Sequence, residues 1–356
     1  MALFCLAVCE VIFFCMVATS SEKTVARVGV ETDSKALDLL RRLPRNVLFV
    51  EPFHGLGNRL RAYACAAALA KLSSRHLVVV WIQDPHVNAS MSALFDTSNL
   101  TVIDFPVAHL LSQVWTDVKK YDYNSKRRKD EIVQDKTLVP IYVRSAYVLQ
   151  SQTRVGEAEI SNELNSLAPS AEVQKRANRL YSFLVAKENL VGVHIRMETD
   201  IKRDVPGIGQ LPSENPAGTT HMGPVERERS RCHYEAFIPH LEKFLQGNPR
   251  VKFFVASDSS LAVYALRQRY PGHVISSDAR ELAQCEGESR RGTSCLQSCL
   301  AEFLVLSKKT STLILSDWSS ASELIIRLSR DKVPHKVGCF AKSAVGFNGW
   351  WKEKIG

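Results

Sequence analysis

What most narrows the fold is a set of short stretches that are apolar almost throughout instead of at alternate positions. They are residues 47–50 (VLFV), 76–82 (HLVVVWI), 190–196 (LVGVHIR), 251–256 (VKFFVA) and 312–315 (TLIL). A strand with one wet face alternates apolar and polar side chains. A strand without that alternation is covered on both faces, as in parallel sheets flanked by helices. Helical patterns separate these runs, over 58–72, 234–245 (despite Pro239), 261–270, 295–307 and 321–329. Shorter strands are expected at 100–104, 138–143 and 274–275. Strand, glycine loop, helix and strand in that order make a βαβ unit. The elements form two series divided around residues 150–188, with no internal repeat or low-complexity segment. The expected fold is α/β, with two doubly wound domains facing each other and a cleft at the carboxyl ends of their strands.

The chain has 356 residues, 45% of them hydrophobic, enough for two medium cores. Residues 1–20 read as a secretory signal peptide or short membrane anchor: 2–18 are apolar apart from Glu10, and Ala18-Thr19-Ser20 offers small residues for cleavage. A stem follows over 21–44. The two domains are placed at 45–185 and 186–335, and a tail at 336–356. This layout puts the protein in the secretory pathway, in the ER or Golgi lumen or outside the cell. Two sequons, at Asn88 and Asn99, agree with it. Outside the leader there are six cysteines: Cys65, Cys232, Cys285, Cys295, Cys299 and Cys339. Disulfides, buried thiols and a metal site on Cys285, Cys295 and Cys299 are all open readings, though no tight Cys-x2-Cys pair is present. Cys65, in an Ala-rich helix, is expected to be an inert core thiol. The net charge of +9 suits an anionic partner. The basic residues are scattered, and no aromatic residue interleaves the run Lys126–Lys129, so nucleic acid is not expected.

Three strand ends carry candidate chemistry. The first is His54-Gly55-Leu56-Gly57-Asn58-Arg59. Its glycines let backbone approach a ligand, and the helix start behind them favours an anion. A dinucleotide fingerprint would want a third glycine where Leu60 stands and an acidic residue ending the strand to Ile82, so the NAD reading is weak. The second is His194-Ile195-Arg196. Strand alternation puts His194 and Arg196 on one side, and a guanidinium can grip two phosphate oxygens and keeps its charge. The third is a pair of Ser-rich helix starts, Ser257-Asp258-Ser259-Ser260 and Asp317 to Ser322. Ordinary N-capping explains part of them. They also offer hydroxyl and amide donors for phosphate, and Asp258 could accept two N–H groups of a guanine edge.

With these pieces in order, the chain resembles the inverting fucosyltransferase superfamily that includes the α-1,2-, α-1,6- and protein O-fucosyltransferases. The matching pieces are His54 to Arg59, Gly192 to Arg196, Phe253 to Asp258 and Ser316 to Glu323. The resemblance implies a GT-B fold of two Rossmann-like halves, an acceptor-side N-terminal one and a nucleotide-sugar-binding C-terminal one. It implies GDP-fucose as donor, a glycan or glycoprotein hydroxyl as acceptor, and inverting displacement without a metal or other cofactor. On that pattern Arg196 stabilises the departing diphosphate, His194 contacts the nucleotide and Asp258 reads guanine. Ser319 and Ser320 hold phosphate, Asn58 and Arg59 line the cleft near the sugar, and His54, Gly55, Gly57 and Ser322 also belong to the substrate-binding set. One departure is Met197, where several members carry a second arginine. The general base is open among Glu51, Glu198 and Asp200. The alternatives are a non-catalytic protein with a nucleotide cleft and, further off, an NAD-type oxidoreductase.

Overall fold

The computed structural model describes residues 34–123, 131–182, 184, 190–197, 204–205, 209–210, 233–285, 291–317, 319–329 and 335–337. The leader and most of the stem, the basic run 126–129, Glu198, Asp200, Cys232, Cys339 and nearly all of the tail lie outside them. In chain order the elements are α1 (34–41), β1 (Val47–Pro52), α2 (Leu56–Leu72), β2 (His76–Val80), α3 (Met91–Leu94), β3 (Thr101–Ile103), α4 (Leu111–Val114), β4 (Lys119–Asp122), β5 (Ile141–Ser145), α5 (Glu157–Ser166) and α6 (Ala171–Ser182). There follow β6 (Leu190–Ile195), the strand pair β7 (Asp204–Val205) and β8 (Gly209–Gln210), and α7 (Ile238–Gly247) behind a 3-10 turn. The chain continues with β9 (Lys252–Ser257), α8 (Ser260–Arg269), β10 (Val274–Ile275), α9 (Ala279–Gln284), α10 (Thr293–Lys309), β11 (Thr312–Leu315), α11 (Ser320–Leu328) and β12 (His335–Val337).

Among the described residues, two five-stranded sheets result, ordered β3-β2-β1-β5-β4 and β10-β9-β6-β11-β12. Every pairing within them is parallel. In each sheet the order reverses beside its first strand, β1 or β6, and such reversals leave a crevice at the carboxyl ends. The apolar runs of the sequence are the central strands, buried on both faces as their lack of alternation requires. The chain from 150 to 188, between the two series of strands, carries two helices. α5 packs on α2, and α6 packs on α10.

The two halves share a core. One buried apolar cluster runs from Leu48, Val50 and the Ala-rich face of α2 through Leu296, Leu300 and Leu304 of α10 to Phe254, Leu313 and Leu315 of the second sheet. α2 is buried on nearly every side, because the first sheet covers one flank and α5 and α11 cover others. This explains its almost uniformly apolar composition. Beside the apolar contacts runs a chain of ion pairs: Arg61 of α2 to Glu323 of α11 at 2.6 Å, Glu323 to Arg327, and Arg327 to Glu157 of α5 at 2.9 Å. Cys65 lies in this core, where burial pushes its thiol up to about 12, as expected of an inert residue.

Candidate functional site

Between the sheets, at their carboxyl ends, is a cavity of about 630 Å³, within the usual span for small-molecule sites. Two helix starts line it, one from each half. α2 begins after Gly55 with no side-chain cap and no acidic residue in its first turn. α11 begins at Ser320, with the Ser319 hydroxyl accepting the Ser322 N–H. The helices meet closely at Gly57, where a Cβ would fall 2.5 Å from the Ser320 carbonyl oxygen and 2.6 Å from its carbon. Glycine at 57 is therefore a requirement of the approach between the halves, beyond making the loop flexible. Helix starts carry partial positive charge and outward N–H groups, so this arrangement favours an anion. His54, Gly55, Gly57, Asn58, Ser319 and Ser320 all line the cavity.

The end of β6 supplies the fixed charges. The Arg196 N–H donates to Ser316 Oγ at 2.8 Å, and the Met197 N–H donates to Asp258 Oδ1 at 2.7 Å. Arg196 Nε lies 3.2 Å from Asp258 Oδ2. Both side chains line the cavity, so the ion pair orients the guanidinium at the cavity wall and does not remove it to the interior. Asp258, expected to read guanine, thus has both oxygens engaged by the strand end. His194 is 5% exposed, with Nδ1 2.8 Å from Ser322 Oγ and its ring edge-on to Phe303. Burial drives its imidazole down to about 4, Asp258 opposing and Arg196 adding to the effect, so the ring is neutral at physiological pH.

Three expected site residues are elsewhere. Arg59 is 1% exposed and does not line the cavity. It pairs with Asp84 at 2.8 Å, donates to the carbonyls of His54 and Ile82, and lies over the Trp81 ring. One residue on from Asn58 along a helix is a turn of about 100°, which takes the side chain away from the cleft. Glu51 is off the cavity because strand alternation places it with Val47 and Phe49, on the sheet face opposite α2. There it accepts from the Tyr142 hydroxyl and pairs with Arg144 at 3.0 Å. Ser322 stands behind His194, outside the lining.

The cavity also holds groups that the sequence reading passed over. Glu302, inside an apolar helical run, is 7% exposed and accepts from the Ser277 hydroxyl. Burial raises its carboxyl to about 7. Arg291 reaches over the start of α2, its Nη1 3.9 Å from where a Gly55 Cβ would be. His86 faces the cavity beside His54, with ring centroids 5.5 Å apart. The wall below Arg291 is fastened by a disulfide, Cys285–Cys295, while Cys299 keeps a free thiol. This pairing replaces the metal reading of those three cysteines. The signal for Glu302 was its spacing: Cys295, Cys299 and Glu302 recur at helical intervals, and all line the cavity.

No protein-family model matches the chain, and no curated protein matches it by sequence. Solved structures match it by shape. The fucosyltransferase NodZ from Bradyrhizobium is 19% identical, with a TM-score of 0.50 over 82% of this chain and 94% of that one. NodZ α-1,6-fucosyltransferase soaked with GDP-fucose is 17% identical, with a TM-score of 0.51 over 80% and 92%. The same enzyme co-crystallised with GDP is 19% identical, with a TM-score of 0.51 over 82% and 93%. This chain has the NodZ fold. The GT-B architecture expected from the sequence is therefore the one observed, and the NodZ-like halves enclose the cavity described above.

Proposed function

We propose that the protein is a luminal fucosyltransferase that moves fucose from GDP-fucose to a hydroxyl of a glycan or protein by inverting displacement, without a metal. One observation carries the reading: Arg196 and two converging helix starts, one from each half, line a single cavity. In displacement the acceptor oxygen bonds to the anomeric carbon as the bond from that carbon to the diphosphate breaks. The electron pair, and hence the charge, goes to the diphosphate. Guanidinium and helix-start amides aimed there lower the barrier because they are already in place. The NodZ structures with GDP and with GDP-fucose support the choice of donor. The Cys285–Cys295 bond and the apolar leader support an oxidising lumen.

Titration calorimetry without added Mg²⁺ tests the reading. GDP is expected to bind, with UDP, ADP and NAD at least tenfold weaker. Equal binding of UDP, or binding of NAD alone, defeats it. Nucleotide release from GDP-fucose with pooled acceptors then separates an enzyme from a protein that only binds.

Guanine recognition falls to Glu302 on this reading, because Asp258 is already engaged by Arg196 and Met197. Leu282, Leu296 and Phe303 line the same cavity and offer apolar walls for a purine. Two guanine N–H groups require the carboxylate form, so binding lowers the Glu302 pKa and releases a proton when it starts protonated. Affinity for a GDP-sugar, whose diphosphate does not titrate near neutrality, is expected to fall as pH drops from 8 to 6, through the value of about 7. Glu302→Gln should flatten that dependence and weaken binding about tenfold, or about 1.4 kcal/mol. A variant that keeps the wild-type pH slope removes Glu302 from this role.

A further inference from the structure

We propose that His86, held edge-on against His54, is the base that takes the proton from the acceptor hydroxyl; the inference rests on the transferase reading. With Glu51 tied to Tyr142 and Arg144 on the far face of its sheet, the cavity needs another proton acceptor on its N-terminal side. Two imidazoles stand there. His54 lies in the loop after β1, and His86 sits in the turn after β2. Both line the cavity that Arg196 lines, and their planes cross at 75°.

The pair is assembled by the residue that the cleft itself does not use. Arg59 Nε donates to the His54 carbonyl at 2.9 Å, Nη1 donates to the Ile82 carbonyl at 2.5 Å, and Nη2 pairs with Asp84 Oδ2 at 2.8 Å. Asp84 Oδ1 in turn accepts the backbone N–H groups of His86 at 2.8 Å and Val87 at 2.9 Å. One buried guanidinium therefore links the two loops whose imidazoles meet. His54 takes φ of +64°, a conformation disfavoured for a residue with a Cβ. Such a conformation persists where surrounding bonds fix it, and here the Arg59 bond to its carbonyl and the Phe53 ring at 4.4 Å do so. The strain lies at the residue that orients His86.

The chemistry balances. The acceptor oxygen forms its bond to the anomeric carbon, and the bond to the diphosphate oxygen breaks with its electron pair going to the diphosphate beside Arg196. The hydroxyl proton passes to the unprotonated nitrogen of His86. His86 is exposed on its outer side, so the proton then leaves to water. Among the described residues, Asp84 in its own turn accepts its backbone N–H, His54 from the β1–α2 loop meets its ring, and Arg291 from the chain leading into α10 lines the same cavity.

The test uses the whole chain, an acceptor found in the pooled screen, and His86→Gln and His86→Ala. A well-placed base contributes about 10²–10⁴-fold, so kcat is expected to fall at least 100-fold in both variants. GDP affinity should stay within threefold of wild type. Added imidazole should restore part of the rate in His86→Ala. A kcat within threefold of wild type in either variant overturns the inference. These outcomes leave the transferase reading standing, because GDP selectivity is read separately. Failure of wild-type protein to select GDP defeats that reading instead.

Discussion

Arg196→Ala is expected to lower turnover of GDP-fucose by about 100-fold or more, while GDP still binds and the fold persists. Loss of one preorganised donor to developing charge costs about 3 kcal/mol or more in the barrier. The guanidinium lies at the cavity wall, steered there by Asp258 at 3.2 Å and by its own N–H on Ser316. Removing it deprives the Asp258 carboxylate of one partner but leaves the Met197 N–H in place. The cost in stability should then be about 1 kcal/mol, much smaller than the loss in rate. Arg196→Lys keeps a charge without the planar fork, so it should recover only part of the rate. Steady-state kinetics beside GDP titration and thermal melting decide the matter. Turnover of Arg196→Ala within tenfold of wild type would falsify the role assigned to this residue.

The second large effect is expected from one methyl group. Gly57→Ala places a carbon 2.5 Å from the Ser320 carbonyl oxygen, and backbone cannot step aside as a side chain can. The two helix starts must separate. Overpacking of this kind costs about 1–3 kcal/mol, which lowers the melting temperature by a few degrees. The larger consequence is for the ligand, since amides from the two halves no longer converge on one diphosphate. Donor affinity is expected to drop at least tenfold. Gly55→Ala is the control: it sits in the same loop with φ of −63°, and its Cβ would come no closer than 3.9 Å to a neighbouring atom. Equal losses in the two variants would show that the loop matters only through its flexibility.

The central strands were readable from sequence because burial on both faces removes polar residues, as at Val47–Val50 and Leu190–Ile195. β4 was not, since it is an edge strand with two lysines and only Tyr121 buried. α5 and α6 were missed for a related reason: α6 buries only Val173 and Ala177, too few to show a helical period. Within the site, strand alternation correctly paired His194 with Arg196, both of which line the cavity. It also determines that Glu51 faces away, but only once the face carrying α2 is known. Arg59 and Asn58 are adjacent in sequence and opposite in role, because a helix turns about 100° per residue and sequence alone does not set its phase against the cleft. Glu302 was hidden because an acid within an apolar helix reads as amphipathic patterning until the helix is seen to border a cavity.

The apolar cluster that passes without a break from one sheet to the other has a mechanical meaning. Prising the halves apart would wet Leu300, Leu304, Phe254 and their neighbours, at about 25 cal/mol for each Å² uncovered. The groove is therefore a mould of preset width. On the proposed reading, a sugar nucleotide would meet a groove already at its working width.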